Sequence, residues 1–170
     1  PVLRTISPQA FNVWLVFAVT MSVFPGVMLG WAPGPGSAFL GKRDLFNILL
    51  TGSFQVFDVV GRYLAEAVAS RVPPPRLWIF TVLRLLFVPA FILGQRRPGS
   101  CVIWGSDVGR FLLVSLLALT NGFAASLAMM FGPGLCKSCH REVAGIAMSS
   151  TMVTGIFSGT LLAFLTQLKA

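Results

Sequence analysis

The chain has 170 residues, of which 55% are hydrophobic and 11% charged, with a formal net charge of +8. A soluble domain carries about 25% charged residues, so this composition excludes a soluble enzyme and a disordered chain and makes a lipid bilayer the main solvent. The 13 Lys and Arg against 5 Asp and Glu fall singly or in pairs between apolar runs. That pattern excludes a nucleic-acid surface and reads as basic clamps at the ends of membrane spans.

A helix crosses the hydrocarbon core in about 17–25 residues, and five stretches have that length: residues 11–31, 48–69, 77–94, 111–131 and 144–168. None alternates with period two, which excludes barrel strands. The start at Pro1, without a leader, reads as the middle of a longer protein. Ala32-Pro33-Gly34-Pro35-Gly36 is expected to end the first span. Pro73-Pro74-Pro75 forms a stiff link after the second, and residues 95–106 form a polar loop after the third. Gly132-Pro133-Gly134 is expected to end the fourth. Links this short make neighbouring helices antiparallel. Arg4, Arg71, Arg76, Lys137 and Arg141 lie on one side, and Lys42, Arg43, Arg96, Arg97, Arg110 and Lys169 on the other. So even a split predicts no orientation. Gly26 with Gly30, Gly155 with Gly159, and the face Ser115, Ala118, Gly122, Ala125 and Ser126 are expected to be packing surfaces.

The second span carries Asp58, Arg62 and Glu66 at i, i+4 and i+8, with Thr51 and Gln55 in the same sector. At 100° per residue the five fill an arc of about 80°. Phe54, Phe57, Val60, Leu64 and Val68 lie outside it. An ionisable group inside a bilayer costs at least ~2.5–3.5 kcal/mol on insertion scales, so such groups face a cavity or a partner. Asp58 precedes Arg62 by four residues, the favourable order for a helical ion pair. The pair would keep both groups charged, with donors and acceptors to spare for a polar ligand. A purely structural lock between helices is the alternative. Arg84, inside the third span, needs a carboxylate or helix-end carbonyls, and Glu66 is its candidate partner in a structural role.

Cys136-Lys137-Ser138-Cys139-His140 matches the CxxCH haem-attachment signature and holds two candidate zinc ligands. A short loop between spans leaves no room for a haem-sized fold. Cys101 is expected on the opposite membrane face, so no second ligand pair completes a zinc site. A disulfide depends on which side faces an oxidising space. Walker, GxSxG, HExxH and N-glycosylation patterns are not found. The expectation is no enzyme, no metal and no cofactor.

Phe54-Gln55-Val56-Phe57-Asp58-Val59-Val60-Gly61-Arg62 resembles the F-N-x-F-D-x-x-G-R segment of equilibrative nucleoside transporters. Further resemblances follow in order. Phe24-Pro25 is similar to that family's seventh helix and Arg84-Leu85-Leu86-Phe87-Val88-Pro89 to its ninth. Thr120-Asn121-Gly122-Phe123-Ala124-Ala125-Ser126-Leu127, then Phe131-Gly132-Pro133, is similar to its tenth. Glu142, Ala144 and Gly145 resemble the start of its eleventh.

The resemblance implies an all-α membrane protein of major-facilitator-like fold, with six N-terminal and five C-terminal helices. Residues 1–170 would be the five-helix C-terminal bundle, helices seven to eleven. The N-terminal six-helix bundle, absent from this chain, would be its partner. Pro1 and the Cys136–Arg141 loop would then be cytosolic and the C-terminus outside. Asp58 and Arg62 would line a central cavity and recognise a nucleoside, chiefly around its sugar. Gln55 replaces the usual Asn and would tune the substrate, with Thr51 beside it. Arg84, Asn121, Gly122, Pro25 and Pro89 would be structural or gating positions, and Glu66, which is not part of the family segment, is grouped with them. The implied function is nucleoside or nucleobase transport by alternating access about a midplane site, in the plasma membrane rather than an organelle. Proton coupling through Glu66 or Asp58 is one alternative. A membrane redox protein built on Cys136, Cys139 and His140 is another.

Overall fold

A computed structural model of the chain describes residues 2–31, 33, 43–96 and 106–167. The apolar runs become helices, most of which start earlier than hydropathy places them, although α4 begins at residue 77 as expected. α1 is Val2–Val23, α2 Gly26–Leu29, α3 Arg43–Val68, α4 Leu77–Leu83, α5 Phe87–Arg96, α6 Asp107–Gly134 and α7 Arg141–Gln167. Short 3-10 turns lie at Pro74–Arg76, Arg84–Leu86 and Ser138–His140.

Local chemistry explains where the boundaries differ from expectation. α1 begins nine residues before residue 11 even though Pro8 lies inside it. Proline has no N–H for the carbonyl four residues back, and the Arg4 carbonyl accepts from the Ser7 hydroxyl at 3.0 Å instead. The first span is broken: α1 stops at Val23, the Phe24-Pro25 bond is cis, and α2 follows. The third span is interrupted as well, by the 3-10 turn at Arg84–Leu86. Pro89 cannot donate to the Leu85 carbonyl, so the chain tightens just before it. Ser106 starts α6 by accepting from the Gly109 N–H at 3.1 Å, with Asp107 in the first turn. Gly132-Pro133-Gly134 ends that helix as its last three residues. α6 runs through Gly134, and Leu135 donates to the Phe131 carbonyl at 3.1 Å. Proline's fixed φ suits a helix, and here it costs one bond in the last turn. Only Pro33 of the 32–36 stretch, and the ends of the 95–106 loop, fall within the described residues.

Among the described residues, four segments are long and apolar enough to cross a membrane: Val2–Leu29, Pro74–Gln95, Asp107–Gly134 and Ser138–Thr166. α3 has the length, 26 residues or about 39 Å of rise, but carries Asp58, Arg62 and Glu66 along it. The architecture is that of an all-α membrane protein.

α1 sits at the centre, with α7 along one side and α6 along another, while α3 packs along α6. One core joins Val13, Val16 and Phe17 of α1 to Leu127 and Ala128 of α6 and Met148 of α7. The other joins Phe24, Met28 and Trp31 to Phe54, Phe91 and Leu117. In it Phe24 stacks on Phe54 at a centroid distance of 3.9 Å and Trp31 on Phe91 at 5.0 Å. Small residues let backbones touch. A Cβ on Gly155 would lie 2.6 Å from the Trp14 carbonyl oxygen, and Gly159 abuts Ala18.

The buried stripe of α3 is Phe46, Leu50, Phe54, Asp58, Gly61 and Ala65. Phe54 is therefore an inward residue. Gln55, Arg62 and Glu66 are exposed and Thr51 half-buried. On a helical projection the buried stripe and the polar arc are adjacent sectors that meet at Asp58.

Candidate functional site

The site is built on the crossing of α3 and α6. A Cβ on Gly122 would overlap the carbonyl oxygen of Asp58, and one on Gly61 would overlap that of Leu119. With both positions glycine, the two backbones meet and short side chains reach across. Asp58 Oδ1 accepts from Asn121 Nδ2 at 2.7 Å, and Oδ2 accepts from Arg62 Nε at 2.8 Å. Asp58 is 6% exposed, whereas the Arg62 side chain is 51% exposed. Through Nε the pair is anchored, while the terminal nitrogens of Arg62 make no hydrogen bond among the described residues.

Behind Asn121 lies Arg84, 2% exposed. Burying a charge is costly unless its donors are satisfied. Arg84 Nη1 donates to the Leu117 carbonyl at 3.1 Å and to the Thr120 hydroxyl. Nη2 donates to the Thr20 hydroxyl at 2.6 Å and to Asn121 Oδ1 at 3.3 Å. Thr20 has one proton for two acceptors within reach, the Val16 carbonyl at 2.8 Å and Asn121 Oδ1 at 2.7 Å. Glu66 is not the partner of Arg84. The counter-charge is Asp58, relayed through the Asn121 amide, because Asn121 and Thr20 are packed against Arg84 while Glu66 points to a different wall. One polar chain thus runs Arg84–Asn121–Asp58–Arg62 across three helical elements.

A cavity of about 820 Å³ opens beside the end of this chain, between α1, α3, α6 and α7. Ligand pockets span about 300–1,000 Å³. Its polar lining comes from Arg62, Tyr63, Glu66 and Ser126, and Phe17, Met129, Met130 and Met152 contribute apolar surface. Of the residues expected at a site, the structure brings Asp58, Arg62, Arg84, Asn121 and Gly122 together and sets Glu66 on the same wall as Arg62. Gln55 and Thr51 lie seven and eleven residues before Arg62, about 10 and 16 Å along the helix, and do not line the cavity. Pro25 lies at the break between α1 and α2, and Pro89 is exposed in α5. Thr20, Tyr63 and the three methionines were not singled out in the sequence. The Met cluster was a readable signal, since flexible thioethers suit surfaces that accept varied ligands. Ser126 was read as a small packing residue only.

The CxxCH thiols are not presented together. Cys136 is buried, with Sγ 4.0 Å from the Gly132 carbonyl oxygen, and Cys139 is exposed on the 3-10 turn. Cys101 lies outside the described residues. Among the described residues, no three His, Cys, Asp or Glu side chains form a group able to hold a metal.

A family model described as nucleoside transporter matches residues 1–168. Curated relatives are similar over 96% of the chain. Equilibrative nucleoside transporter 1 of Homo sapiens is 29% identical over 168 residues. Equilibrative nucleoside transporter 2 of Rattus norvegicus is 32% identical over 172 residues, and equilibrative nucleotide transporter 1 of Arabidopsis thaliana 30% over 164. The chain spans 37%, 37% and 34% of their respective lengths. These relatives are transporters by name, and none is named as an enzyme. Because this family model matches almost the full length of the chain, the chain belongs to the nucleoside transporter family.

Proposed function

We propose that this chain forms the C-terminal bundle of a carrier that moves nucleosides or nucleobases across the plasma membrane by alternating access, rocking against an N-terminal six-helix bundle around a midplane site. The observation that carries this reading is the Asp58–Arg62 pair, in which Arg62 lines the 820 Å³ cavity and the buried Asp58 anchors it from behind. An ionised carboxylate offers about four lone-pair sites. Asn121 and Arg62 use two of them, which leaves acceptors for ribose hydroxyls. The terminal nitrogens of Arg62 donate to the ring oxygen or to base acceptors. Apolar methionines and Phe17 offer a surface for the base. Asn121, Gly122 and Arg84 hold the pair in place, Pro25 and Pro89 set the helix breaks, and Gln55 with Thr51 lines the approach along α3.

The test is uptake of a radiolabelled nucleoside by the full-length protein. Asp58→Ala and Arg62→Ala are each expected to lower uptake at least tenfold at unchanged surface abundance, measured by surface biotinylation. Wild-type uptake by both variants overturns the site assignment. A second reading, proton-coupled uptake, is favoured by Glu66, a cavity-wall carboxylate with no ion-pair partner among the described residues. Uptake that ignores external pH and protonophores rejects it.

A further inference from the structure

We propose that Glu66 is a specificity-determining residue that accepts a hydrogen bond from the exocyclic amino group of the nucleobase, so that this carrier favours amino-bearing nucleosides. The inference rests on the transporter reading above and names what one wall of its site selects.

Three observations lead there. Glu66 and Arg62 line the same cavity, one turn apart on α3, about 6 Å of rise and 40° of rotation. That spacing matches a ribose held at one residue and the far edge of its attached base at the other. Arg62 is already committed to Asp58 through Nε at 2.8 Å. The carboxylate of Glu66 has no hydrogen-bond or ion-pair partner among the described residues. Glu66 is exposed on this largely apolar wall with its acceptors free, and among the described lining residues Arg62 is the one cation. Finally, the cavity lies around residues 59–66 of α3 and not around Thr51 and Gln55. A nucleoside whose sugar is held at Arg62 has Glu66 within reach of its base on the same wall, with Met129 and Met130 lining the cavity too.

The chemistry is directional. A carboxylate has acceptors only. It welcomes the N–H donors of an amino group on adenine, guanine or cytosine and is left bare by a base that lacks one. A site built around a polar partner rejects the analogue without it more strongly than an apolar pocket rejects a size change.

The experiment compares nucleoside pairs that differ by a single amino group, guanosine with inosine and adenosine with purine riboside, in the full-length carrier. The readout is the ratio of kcat/KM within each pair, which is independent of surface abundance. Wild type is expected to favour the amino-bearing member of at least one pair about tenfold. Glu66→Ala should bring that ratio close to one. Glu66→Gln, which keeps a carbonyl acceptor without the charge, should give an intermediate ratio. A wild-type ratio near one in both pairs overturns the inference. So does a wild-type preference that survives in Glu66→Ala, even if overall uptake falls, since that would mark Glu66 as a structural residue. Wild type that takes up none of the four nucleosides rejects the transporter reading itself.

Discussion

Gly122→Ala tests the close crossing of α3 and α6. The added Cβ would overlap the Asp58 carbonyl oxygen and lie 2.9 Å from its carbon and 3.1 Å from the Arg62 nitrogen. All three are backbone atoms, which cannot swing aside. Ordinary carbon contacts sit near 3.5–4.0 Å, so α3 must withdraw by about 1 Å or more. The Asn121–Asp58 bond, 2.7 Å long, then stretches past useful hydrogen-bond length. Overpacking costs about 1–3 kcal/mol, and losing a hydrogen bond to a charged group about 1.5–3 kcal/mol. Alanine's better helix propensity returns up to ~1 kcal/mol, leaving a net loss on the order of 2–5 kcal/mol. Gly145→Ala is the control: its Cβ meets nothing within 4 Å, so it should be neutral or stabilising by up to ~1 kcal/mol. Thermal unfolding of the purified full-length protein in detergent, paired with nucleoside uptake, reads both. A Gly122→Ala protein that melts with wild type and transports normally refutes the reasoning, as does a Gly145→Ala protein that is equally destabilised.

Arg84→Lys should destabilise the bundle by about 3–5 kcal/mol, because one ammonium cannot span acceptors on α1 and α6; a lowered melting temperature checks this. Asn121→Ala leaves the Asp58 carboxylate held by Arg62 alone, and uptake should fall at least tenfold at unchanged surface abundance, with a larger effect on KM than on kcat. In a Cys101→Ser background, an impermeant maleimide should label Cys139 before any denaturant is added and Cys136 only afterwards. Labelling confined to inside-out vesicles would place the 136–141 loop in the cytosol.

Helix positions were legible because apolarity over about 20 residues is a local property. The Asp58–Arg62 pair was equally local, four residues apart on one helix. Arg84 was different. Its partners Thr20, Leu117 and Asn121 lie 64, 33 and 37 residues away, and no periodicity says which neighbouring helix a given face will meet. The same blindness left open whether Phe54 meets lipid or a neighbouring helix. A polarity arc finds where polar groups cluster, but Gly61 and Gly122 decide which line of α3 docks, and that line includes Phe54. The break at Arg84–Leu86 and the run of α6 through Pro133 are small local compromises that a hydropathy window averages away.

Where two helices meet backbone to backbone, no layer of compliant side chains separates them. α3 and α6 therefore behave as a single stiff strut, and a displacement of one carries the Asp58 carboxylate and Arg62 guanidinium with it. The geometry of that ion pair is then preserved when the two helices move as one body. Bending has to be taken up at softer joints, and the 3-10 turn at Arg84–Leu86 is the kind of mid-helix irregularity where chains flex. Arg84 anchors the strut from that same turn.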